Sequence, residues 1–443
     1  MSVLQNIYGH SPVFFQNIMC SVKGWALKKR RFGKDFFRLL SDYESHRVSP
    51  EESLESFLEA IRNVPAYKSV YEKAAQGGAK LSDFKIITKA DVKLNYSDYI
   101  NPDYRGKTIL EHTSGTSGNG LVIPVSVEAE RKQWAVWWRC NEDMGIKFGT
   151  WQGWLCGRQI IPLSNTKPPY WRINWPGRRV MFSTYHLKPD TIHYFIDEII
   201  RRKLTWIHGY PSILCYLSRL AQQAGLQPVL NVKFVTTGSE NLLPSDVGII
   251  KKTFPNAMVR THYGLTEAVS NISQNRDGEW VIDDDFAYTE LIEIENSLEN
   301  DASNSNIKRC RIIGTNFTNL AFPLVRYDTG DIAIVDCSNG KIVGIEGRSD
   351  EFFILKNGTK FTAILAEFIF DEIEHLAEGQ VRLKKNGDIE LVVVKGFNYS
   401  GDDELKLLHL AHKHISEDLN ITINYTDKIQ RTKAGKLRIV VAE

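Results

Sequence analysis

Thr113–Gly120 reads T-S-G-T-S-G-N-G, with four hydroxyl residues and three glycines in eight positions. Such a composition does not form a stable helix or strand. Glycine permits backbone conformations in which successive N–H groups point inward, and the hydroxyls add donors around the same concavity. The segment can therefore cradle a phosphate. Its spacing matches neither G-x-x-x-x-G-K-[ST] nor G-x-G-x-x-G, and taken alone it is more often a flexible surface loop.

Four further motif regions follow the glycine loop in a fixed order. They are T-G-S-E-N (237–241) with H-Y-G-L-T-E (262–267), R-Y-D-T-G-D (326–331), G-R-S-D-E (347–351) and R-T-K-A-G-K-L-R (431–438). Together with the glycine loop, these segments resemble the core motifs of the adenylate-forming superfamily of acyl-activating enzymes. Three others resemble the phenylacetate-coenzyme A ligase branch, especially its capsular-polysaccharide-biosynthesis relatives: N-V-P-A-Y-K (63–68), F-S-T-Y-H-L (182–187) and H-G-Y-P-S (208–212). The resemblance covers nearly the whole chain.

The resemblance implies an ATP- and Mg²⁺-dependent ligase. Such an enzyme converts a carboxylic acid to an acyl-adenylate, releases pyrophosphate and transfers the acyl group to a nucleophile. Coenzyme A is the first choice of acceptor, and an amine, such as an amino sugar in surface polysaccharide biosynthesis, is the alternative. A hypothesis of another class is a non-catalytic nucleotide-binding scaffold with the same fold.

The same resemblance assigns the site residues. Lys436 would bridge the substrate carboxylate and the α-phosphate, as a charged ammonium on a long stem can. Glu267 would bind Mg²⁺, which prefers carboxylate oxygens, and Thr266 would bond the α-phosphate. The hinge between the lobes would be Asp350. The nucleotide-binding residues would be Thr113, Ser114, Gly115, Thr116, Ser117, Gly118, Gly238, Ser239, Glu240, Tyr263, Gly264, Asp331 and Arg348.

Several of these residues also have ordinary structural explanations. Tyr263 would stack on adenine, with Gly264 permitting close approach, but a tyrosine at a strand end is as often a core residue. Asp331 would accept hydrogen bonds from both ribose hydroxyls, which an ionised carboxylate can do, or it could be a turn aspartate after Gly330. Without its motif, Lys436 would be one more lysine in a basic C-terminal tail.

The motifs depart from the family pattern in three places. The glycine loop ends N-G-L, where the family commonly has a proline and a lysine. Residues 357–363 (N-G-T-K-F-T-A) lack the proline expected near Thr362, which bears on coenzyme A binding. Gln430 or Arg431 replaces the usual proline at the start of the last motif.

The length of 443 residues predicts more than one lobe, and the sequence is 42% hydrophobic and 24% charged, as in soluble globular proteins. We predict an α/β fold with a large N-terminal lobe of mostly parallel sheets flanked by helices. A small, mobile α+β C-terminal lobe completes it. The predicted boundaries are 1–347 for the large lobe, 348–351 for the hinge and 352–443 for the small lobe, which carries Lys436.

Alternation of strand and helix supports the parallel sheet. Strands are predicted at 204–208, 232–236 and 257–261, with helices at 211–224 and 244–254 between them. Because sites on such sheets gather at the carboxyl ends of strands, T-G-S-E-N and H-Y-G-L-T-E are expected on one rim. Residues 167–179, with three prolines, predict a long irregular loop. In the small lobe, a helix is predicted at 364–376 and a strand at 380–384.

Two aromatic segments have alternative explanations. The predicted helix 128–144 carries Trp134, Trp137 and Trp138, which fit core packing better than an acyl pocket. Residues 21–40 are basic and aromatic. Their apolar side is expected to pack on the main lobe, and the alternative is contact with an anionic membrane surface through Trp25, Phe32, Phe36 and Phe37.

The remaining composition predicts a cytoplasmic enzyme with small-molecule partners. The formal net charge of +2 gives no indication of nucleic-acid binding. The six cysteines form no C-x-x-C pair and are expected to be reduced and buried. The sequence shows neither a signal-peptide pattern nor a run of 18 apolar residues.

Overall fold

The structure is a computed structural model that describes the chain except for residues 1–2, 75–77, 114–119, 295–305, 349–351, 357–359, 363–365, 367–368, 416–418 and 433–434. It divides into two compact units, each built from segments distant in sequence. Unit 1 comprises Met1–Val22, Gly149–Val259 and Asp350–Glu443, and unit 2 comprises Lys23–Phe148 and Arg260–Ser349. The lobe boundaries expected from the sequence, with their hinge at 348–351, stay a prediction.

The elements are numbered here in chain order. The helices are α1 (Val3–His10), α2 (Val13–Arg31), α3 (Phe36–Glu44), α4 (Pro50–Ala60), α5 (Lys68–Lys73), α6 (Lys89–Leu94), α7 (Val127–Asp143), α8 (Ile192–Arg201), α9 (Pro211–Gln223), α10 (Pro244–Thr253) and α11 (Gly401–His414). The first ten strands are β1 (Thr108–His112), β2 (Val122–Ser126), β3 (Gln152–Leu155), β4 (Trp171–Asn174), β5 (Arg179–Phe182), β6 (Trp206–Gly209), β7 (Phe234–Gly238), β8 (Met258–Gly264), β9 (Asn271–Gln274) and β10 (Trp280–Ile282). The others are β11 (Tyr288–Glu293), β12 (Ile307–Thr315), β13 (Tyr327–Asp336), β14 (Ile342–Arg348), β15 (Phe352–Ile354), β16 (Lys360–Thr362), β17 (Leu376–Leu383), β18 (Ile389–Lys395), β19 (Ile421–Tyr425) and β20 (Val440–Ala442).

The main sheet of unit 1 is mostly parallel, as predicted. β3 pairs in parallel with β5 and β6, and β6 pairs in parallel with β7. All four residues of β6 are buried, as expected for a parallel strand covered on both faces. α8, α9 and α10 contribute to the same hydrophobic core through Phe195, Leu217 and Ile250. The predicted α/β fold class is confirmed.

The predicted irregular loop at 167–179 is wrong at its centre. β4 pairs antiparallel with β5, placing Trp171 opposite Phe182 and Asn174 opposite Arg179. The prolines at 168, 169 and 176 flank β4 and leave its four residues uninterrupted. Among the described strands, β5 is the only one that pairs with β4, so β4 is an edge strand of the sheet. Edge strands tolerate nearby prolines best.

The C-terminal part of unit 1 has the predicted α+β pattern. β17 pairs antiparallel with β18 and in parallel with β20, while β18 pairs in parallel with β19. Phe361, Leu391 and Leu407 lie in its buried core. The predicted helix 364–376 is too long and the predicted strand 380–384 begins too late, because β17 starts at Leu376.

Unit 2 contains antiparallel strands. β11, β12, β13 and β14 form a four-stranded sheet in sequence order. β8 pairs antiparallel with β9, and β9 with β10. β1 and β2 form a hairpin around the glycine loop. On α7, Trp138 is 6% exposed and its ring lies 4.8 Å from that of Phe148, as core packing predicts.

Residues 21–40 form two helices, since α2 ends at Arg31 and α3 begins at Phe36. Phe36 is fully buried and contacts Phe32 with ring centroids 4.8 Å apart. These two rings pack inward, whereas Trp25 and Phe37 are exposed. All six cysteines lie in described segments, and none forms a disulfide. Cys156, Cys215 and Cys310 are buried as expected, but Cys20 and Cys140 are only half-buried and Cys337 is exposed, so the expected burial is wrong for these three. None of the described helices has the length and apolar composition needed to cross a membrane.

Candidate active site

The H-Y-G-L-T-E motif lies at the carboxyl end of β8. The strand ends at Gly264, and a turn carrying Thr266 and Glu267 follows. Ala268 closes this turn with a φ of 55°, a conformation rare for residues other than glycine. A backbone held in such a conformation marks a constrained turn. The motif is therefore fixed in position rather than carried on a loose loop.

Glu267 is a buried carboxylate, and Tyr327 supplies the one hydrogen bond that its side chain makes among the described residues. Its side chain is 5% exposed, and its Oε1 accepts a long hydrogen bond of 3.4 Å from Tyr327 Oη. Its backbone carbonyl accepts from Asn316 Nδ2 at 3.1 Å, which ties the turn to β12 and the residues after it. A carboxylate has about four acceptor positions. Glu267 therefore retains the capacity to bind a cation.

Tyr263 and Asp331 join two of the motifs within unit 2. Tyr263 Oη donates a 2.7 Å hydrogen bond to Asp331 Oδ2. Burial raises the pKa of Tyr263 well above its ordinary value, and the negative Asp331 raises it further, so the phenol stays protonated and donates. Asp331 lies on β13, where its backbone N–H donates to Thr329 Oγ1 and its register partner on β14 is Arg348. The contact places an aromatic ring beside a carboxylate that can accept from hydroxyls.

The glycine loop is anchored at both ends by the β1–β2 hairpin. Thr113 N–H donates to Leu121 O at 2.9 Å, and Leu121 N–H donates to Thr113 Oγ1 at 2.8 Å. Lys89 Nζ donates to the same hydroxyl at 3.0 Å. This lysine, which follows Thr88 at the start of α6, was not predicted from the sequence. Ser114, Gly115, Thr116, Ser117 and Gly118 lie outside the described residues.

In unit 1, the last motif reaches the end of β7. Lys436 Nζ donates a 2.8 Å hydrogen bond to the backbone carbonyl of Ser239. Ser239 has a φ of 70°, so the chain turns sharply immediately after Gly238, the last residue of β7. Two motifs separated by 197 positions therefore meet, and the lysine predicted to be catalytic lies at the carboxyl end of a parallel strand.

The loop that carries Lys436 lies close against Gly157. Thr432 N–H donates to Lys436 O, and Gly435 N–H donates to Thr432 O, which closes a tight turn. Gly435 has a φ of 82°, a conformation that glycine adopts without strain. A Cβ on Gly435 would overlap the Gly157 Cα. The turn can reach this position only with glycine at 435.

A buried ion pair supports the start of the same loop. The side chains of Arg431 and Glu378 form an ion pair and are only 6% and 7% exposed. Arg431 Nη1 also donates to Ser212 Oγ at 3.3 Å, and Ser212 N–H donates to Glu240 Oε2 at 3.1 Å. Among the described residues, the other oxygen of Glu240 is buried without a hydrogen-bond partner. A donor from a ligand could satisfy it.

An aromatic cluster surrounds the carboxyl ends of β3 and β6. The rings of His208 and Trp154 lie 4.6 Å apart, and the Arg179 guanidinium lies 4.0 Å above Trp154. Tyr210 follows β6, and burial together with the nearby Cys156 and Glu240 raises its pKa. Burial raises the pKa of Cys156 itself to about 12, so this thiol is neutral. The sequence analysis assigned no role to these residues, and only H-G-Y-P-S pointed toward them.

Most of the predicted site residues are described, and they fall in both units. Thr113, Tyr263, Gly264, Thr266, Glu267 and Asp331 lie in unit 2, with Arg348 placed there by its backbone. Gly238, Ser239, Glu240 and Lys436 lie in unit 1. Asp350, the predicted hinge, lies outside the described residues. The described segments contain no cluster of three or more metal-binding side chains. A single buried carboxylate such as Glu267 is compatible with Mg²⁺, which proteins commonly hold through one or two carboxylates together with substrate phosphates.

Comparison with known proteins supports the family resemblance. Residues 353–443 match the family model of the CapK C-terminal domain. Over 465 aligned positions, the chain is 25% identical to Protein CapK of Staphylococcus aureus, covering 99% of each chain.

Solved structures give the same fold. The chain resembles 2-hydroxyisobutyryl-CoA ligase in its postadenylation state with 2-HIB-AMP, with a TM-score of 0.62, 16% identity and coverage of 91% and 89% of the two chains. The complex of that ligase with R3-HIB-AMP gives a TM-score of 0.61 at 14% identity, covering 94% and 91%. The chain therefore has the fold of the adenylate-forming ligases, and its residues 353–443 match the CapK C-terminal domain.

Proposed function

We propose that this protein is an ATP- and Mg²⁺-dependent ligase that forms an acyl-adenylate and transfers the acyl group to an acceptor. The observation that carries the proposal is the 2.8 Å hydrogen bond between Lys436 Nζ and the Ser239 carbonyl. It supports the proposal because it places an ammonium at the carboxyl end of a parallel strand, where sites on such sheets gather.

In the proposed first step, an oxygen of the substrate carboxylate bonds to the α-phosphorus of ATP, and pyrophosphate leaves with the bridging oxygen. Both reactants are anionic, so the barrier contains a large electrostatic term. The Lys436 ammonium reduces this repulsion at the end of β7. Mg²⁺, when bound, would neutralise charge on the phosphates, and Glu267 would hold it.

Replacing Asp331 with alanine should raise the KM for ATP about ten- to hundredfold. Hydrogen bonds to a charged group contribute roughly 1.5 to 3 kcal/mol, and alanine removes the acceptor proposed for the ribose. Tyr263→Phe keeps the ring and removes only the hydroxyl that orients Asp331, so its effect should be smaller. Steady-state kinetics at varied ATP measure both variants. An unchanged KM in Asp331→Ala would refute the ribose assignment.

Replacing Glu267 with glutamine should keep the fold and raise the Mg²⁺ concentration needed for half-maximal adenylation at least about tenfold. The neutral amide has the same shape but lacks the charge that a hard cation requires. Glu279→Gln, which alters an exposed carboxylate paired with Lys341 elsewhere in unit 2, is the control. Activity with the wild-type dependence on magnesium would show that Glu267 does not bind the metal.

For the acceptor we propose the coenzyme A thiol, with phenylacetate-CoA ligase-like chemistry. The structural neighbour is by name a CoA ligase. An amine acceptor, such as an amino sugar in surface polysaccharide biosynthesis, is the second candidate. It is favoured by the match of the small lobe to the CapK C-terminal domain and by the missing proline near Thr362. Thioester and amide formation from the same acyl-adenylate, measured side by side, distinguish the two.

A cytoplasmic location is part of the proposal, because the reaction consumes ATP and because the six free cysteines suit a reducing compartment. ATP–pyrophosphate exchange, screened over carboxylic acids, tests the function as a whole. Exchange that depends on one class of acid supports the ligase. Nucleotide binding without exchange for any acid would instead support the non-catalytic scaffold.

A further inference from the structure

The N-terminal helix α2 is oriented with its apolar side outward. Phe14, Phe15, Ile18, Val22 and Trp25 lie within about 100° of one another around the helix axis. All five are exposed, Phe14 and Val22 at 63% and Trp25 at 58%. Surface helices of globular proteins normally bury such a stripe. We call these five residues the α2 apolar face.

A polar edge beside this apolar face makes contacts that hold the helix in place. Asn17 Oδ1 accepts from the backbone N–H of Ile173 at 2.8 Å. Ser21 Oγ donates to Ile173 O at 3.3 Å and accepts from Trp175 N–H at 3.2 Å. The helix thus pairs with backbone groups of the edge strand β4, which would otherwise be open to water.

Four further hydrogen bonds hold α1 and the start of α2 in place. Arg172 Nε donates to Gln16 Oε1, and Gln16 Nε2 donates to the carbonyls of Tyr8 and Ser11 at 3.0 and 2.8 Å. Tyr8 Oη donates to Ile160 O at 2.6 Å. Rotating α2 to bury its apolar face would break the hydrogen bonds that Gln16, Asn17 and Ser21 make with the segment around β4. The exposure of the face is therefore built into the structure.

The charge of residues 1–34 indicates which kind of surface the α2 apolar face would contact. Residues 1–34 contain six basic residues and no acidic residue, although the whole chain has a formal net charge of only +2. Arg30 and Arg31 are paired with Glu130, which leaves four lysines. Lys23, Lys28, Lys29 and Lys34 are all exposed, and Lys29 Nζ lies 5.3 Å from the centre of the Trp25 ring.

We propose that the α2 apolar face docks the protein on an anionic phospholipid surface. Phenylalanine and tryptophan side chains enter the boundary between headgroups and acyl chains, while the lysines meet the anionic headgroups. A second copy of the chain fits less well, because pairing two acid-free segments would bring their positive charges together.

Vesicle co-sedimentation of the full-length protein tests the proposal. The protein should pellet with vesicles containing phosphatidylglycerol and much less with phosphatidylcholine alone, and high salt should release it. Phe14→Ser should lower partitioning about tenfold, as expected for losing one inserted aromatic ring. Lys28→Gln should lower partitioning onto the anionic vesicles about fivefold and leave partitioning onto phosphatidylcholine unchanged.

Leu94→Ser is the matched control, since Leu94 is 83% exposed but lies outside α2. It should bind vesicles like the wild type. All three altered side chains are exposed, so melting temperature and exchange activity without vesicles should not change. Wild-type binding by Phe14→Ser, or equal binding to both lipids, would overturn the proposal. A dimer in solution that Phe14→Ser dissociates would assign the face to a second copy instead.

Discussion

The Lys436→Ala variant should form acyl-adenylate roughly 10²- to 10³-fold more slowly than the wild type. A charged donor aimed at charge that develops in the transition state is worth about 3 to 4 kcal/mol. In this protein Lys436 Nζ lies at the carboxyl end of β7, held by the Ser239 carbonyl. Alanine keeps the backbone turn and removes the ammonium that offsets the repulsion between the two anions.

Transfer should behave differently in the same variant. When synthetic acyl-adenylate and the acceptor are supplied, the carboxylate is already activated and the repulsion between reactants is absent. Lys436→Ala should therefore complete transfer at close to the wild-type rate. ATP–pyrophosphate exchange measures the first half-reaction, and product formation from supplied adenylate measures the second.

Two control variants sharpen this measurement. Lys406→Ala removes an exposed lysine from α11 in the same lobe, and it should leave both half-reactions intact. Lys436→Arg keeps the charge on a planar group of different reach, and it should recover only part of the activity. Equal loss of both half-reactions in Lys436→Ala would mean that the lysine acts in both steps or supports the fold.

The parallel sheet could be predicted from the sequence because its strands carry a strong local signal. β7 was expected at 232–236 and lies at Phe234–Gly238, and β6 and α9 were placed with similar accuracy. Buried strands of apolar, β-branched residues, separated by amphipathic helices, leave few alternative folds. Periodicity also placed T-G-S-E-N and H-Y-G-L-T-E where predicted strands stop, whereas the roles of the motif residues come from the family resemblance and stay predictions.

β4 could not be predicted, because its stability comes from distant residues. The segment W-R-I-N has only four residues and lies among prolines, so no local periodicity marks it. It is completed by pairing with β5 and by two hydrogen bonds with α2, more than 150 positions away: Asn17 Oδ1 accepts from Ile173 N–H, and Ser21 Oγ donates to Ile173 O. The same long-range contacts hold α2 with its apolar face exposed. In residues 21–40, whose apolar side was expected to pack inward, Phe32 and Phe36 do so and Trp25 and Phe37 do not.

The supporting residues of the site were missed for a related reason. Arg431 was noted only as the residue that replaces a proline, and Glu378 was not singled out. The sequence did contain a signal, since Glu378 interrupts the apolar run at the start of β17. A buried acid in such a strand needs a cation, but the sequence alone does not say which one.

Gly435→Ala should reduce adenylation roughly a hundredfold even though Lys436 is retained. The added Cβ would overlap the Gly157 Cα, so the turn must move away and carry the ammonium with it. A displacement of about 1 Å in a catalytic group can cost on the order of 10²-fold in rate. Transfer from supplied acyl-adenylate should continue, as in Lys436→Ala.

The control for this variant separates the collision from backbone strain. Gly225 also has a positive φ, of 66°, and a Cβ there meets nothing within 4 Å. Gly225→Ala should therefore lose about 1 to 2 kcal/mol of stability from backbone strain alone, as expected for a left-handed non-glycine residue. It should not lose adenylation. Melting temperatures and both half-reactions are measured for the two variants. If Gly435→Ala adenylates as fast as Gly225→Ala, the close approach of this turn to Gly157 is not required for the chemistry.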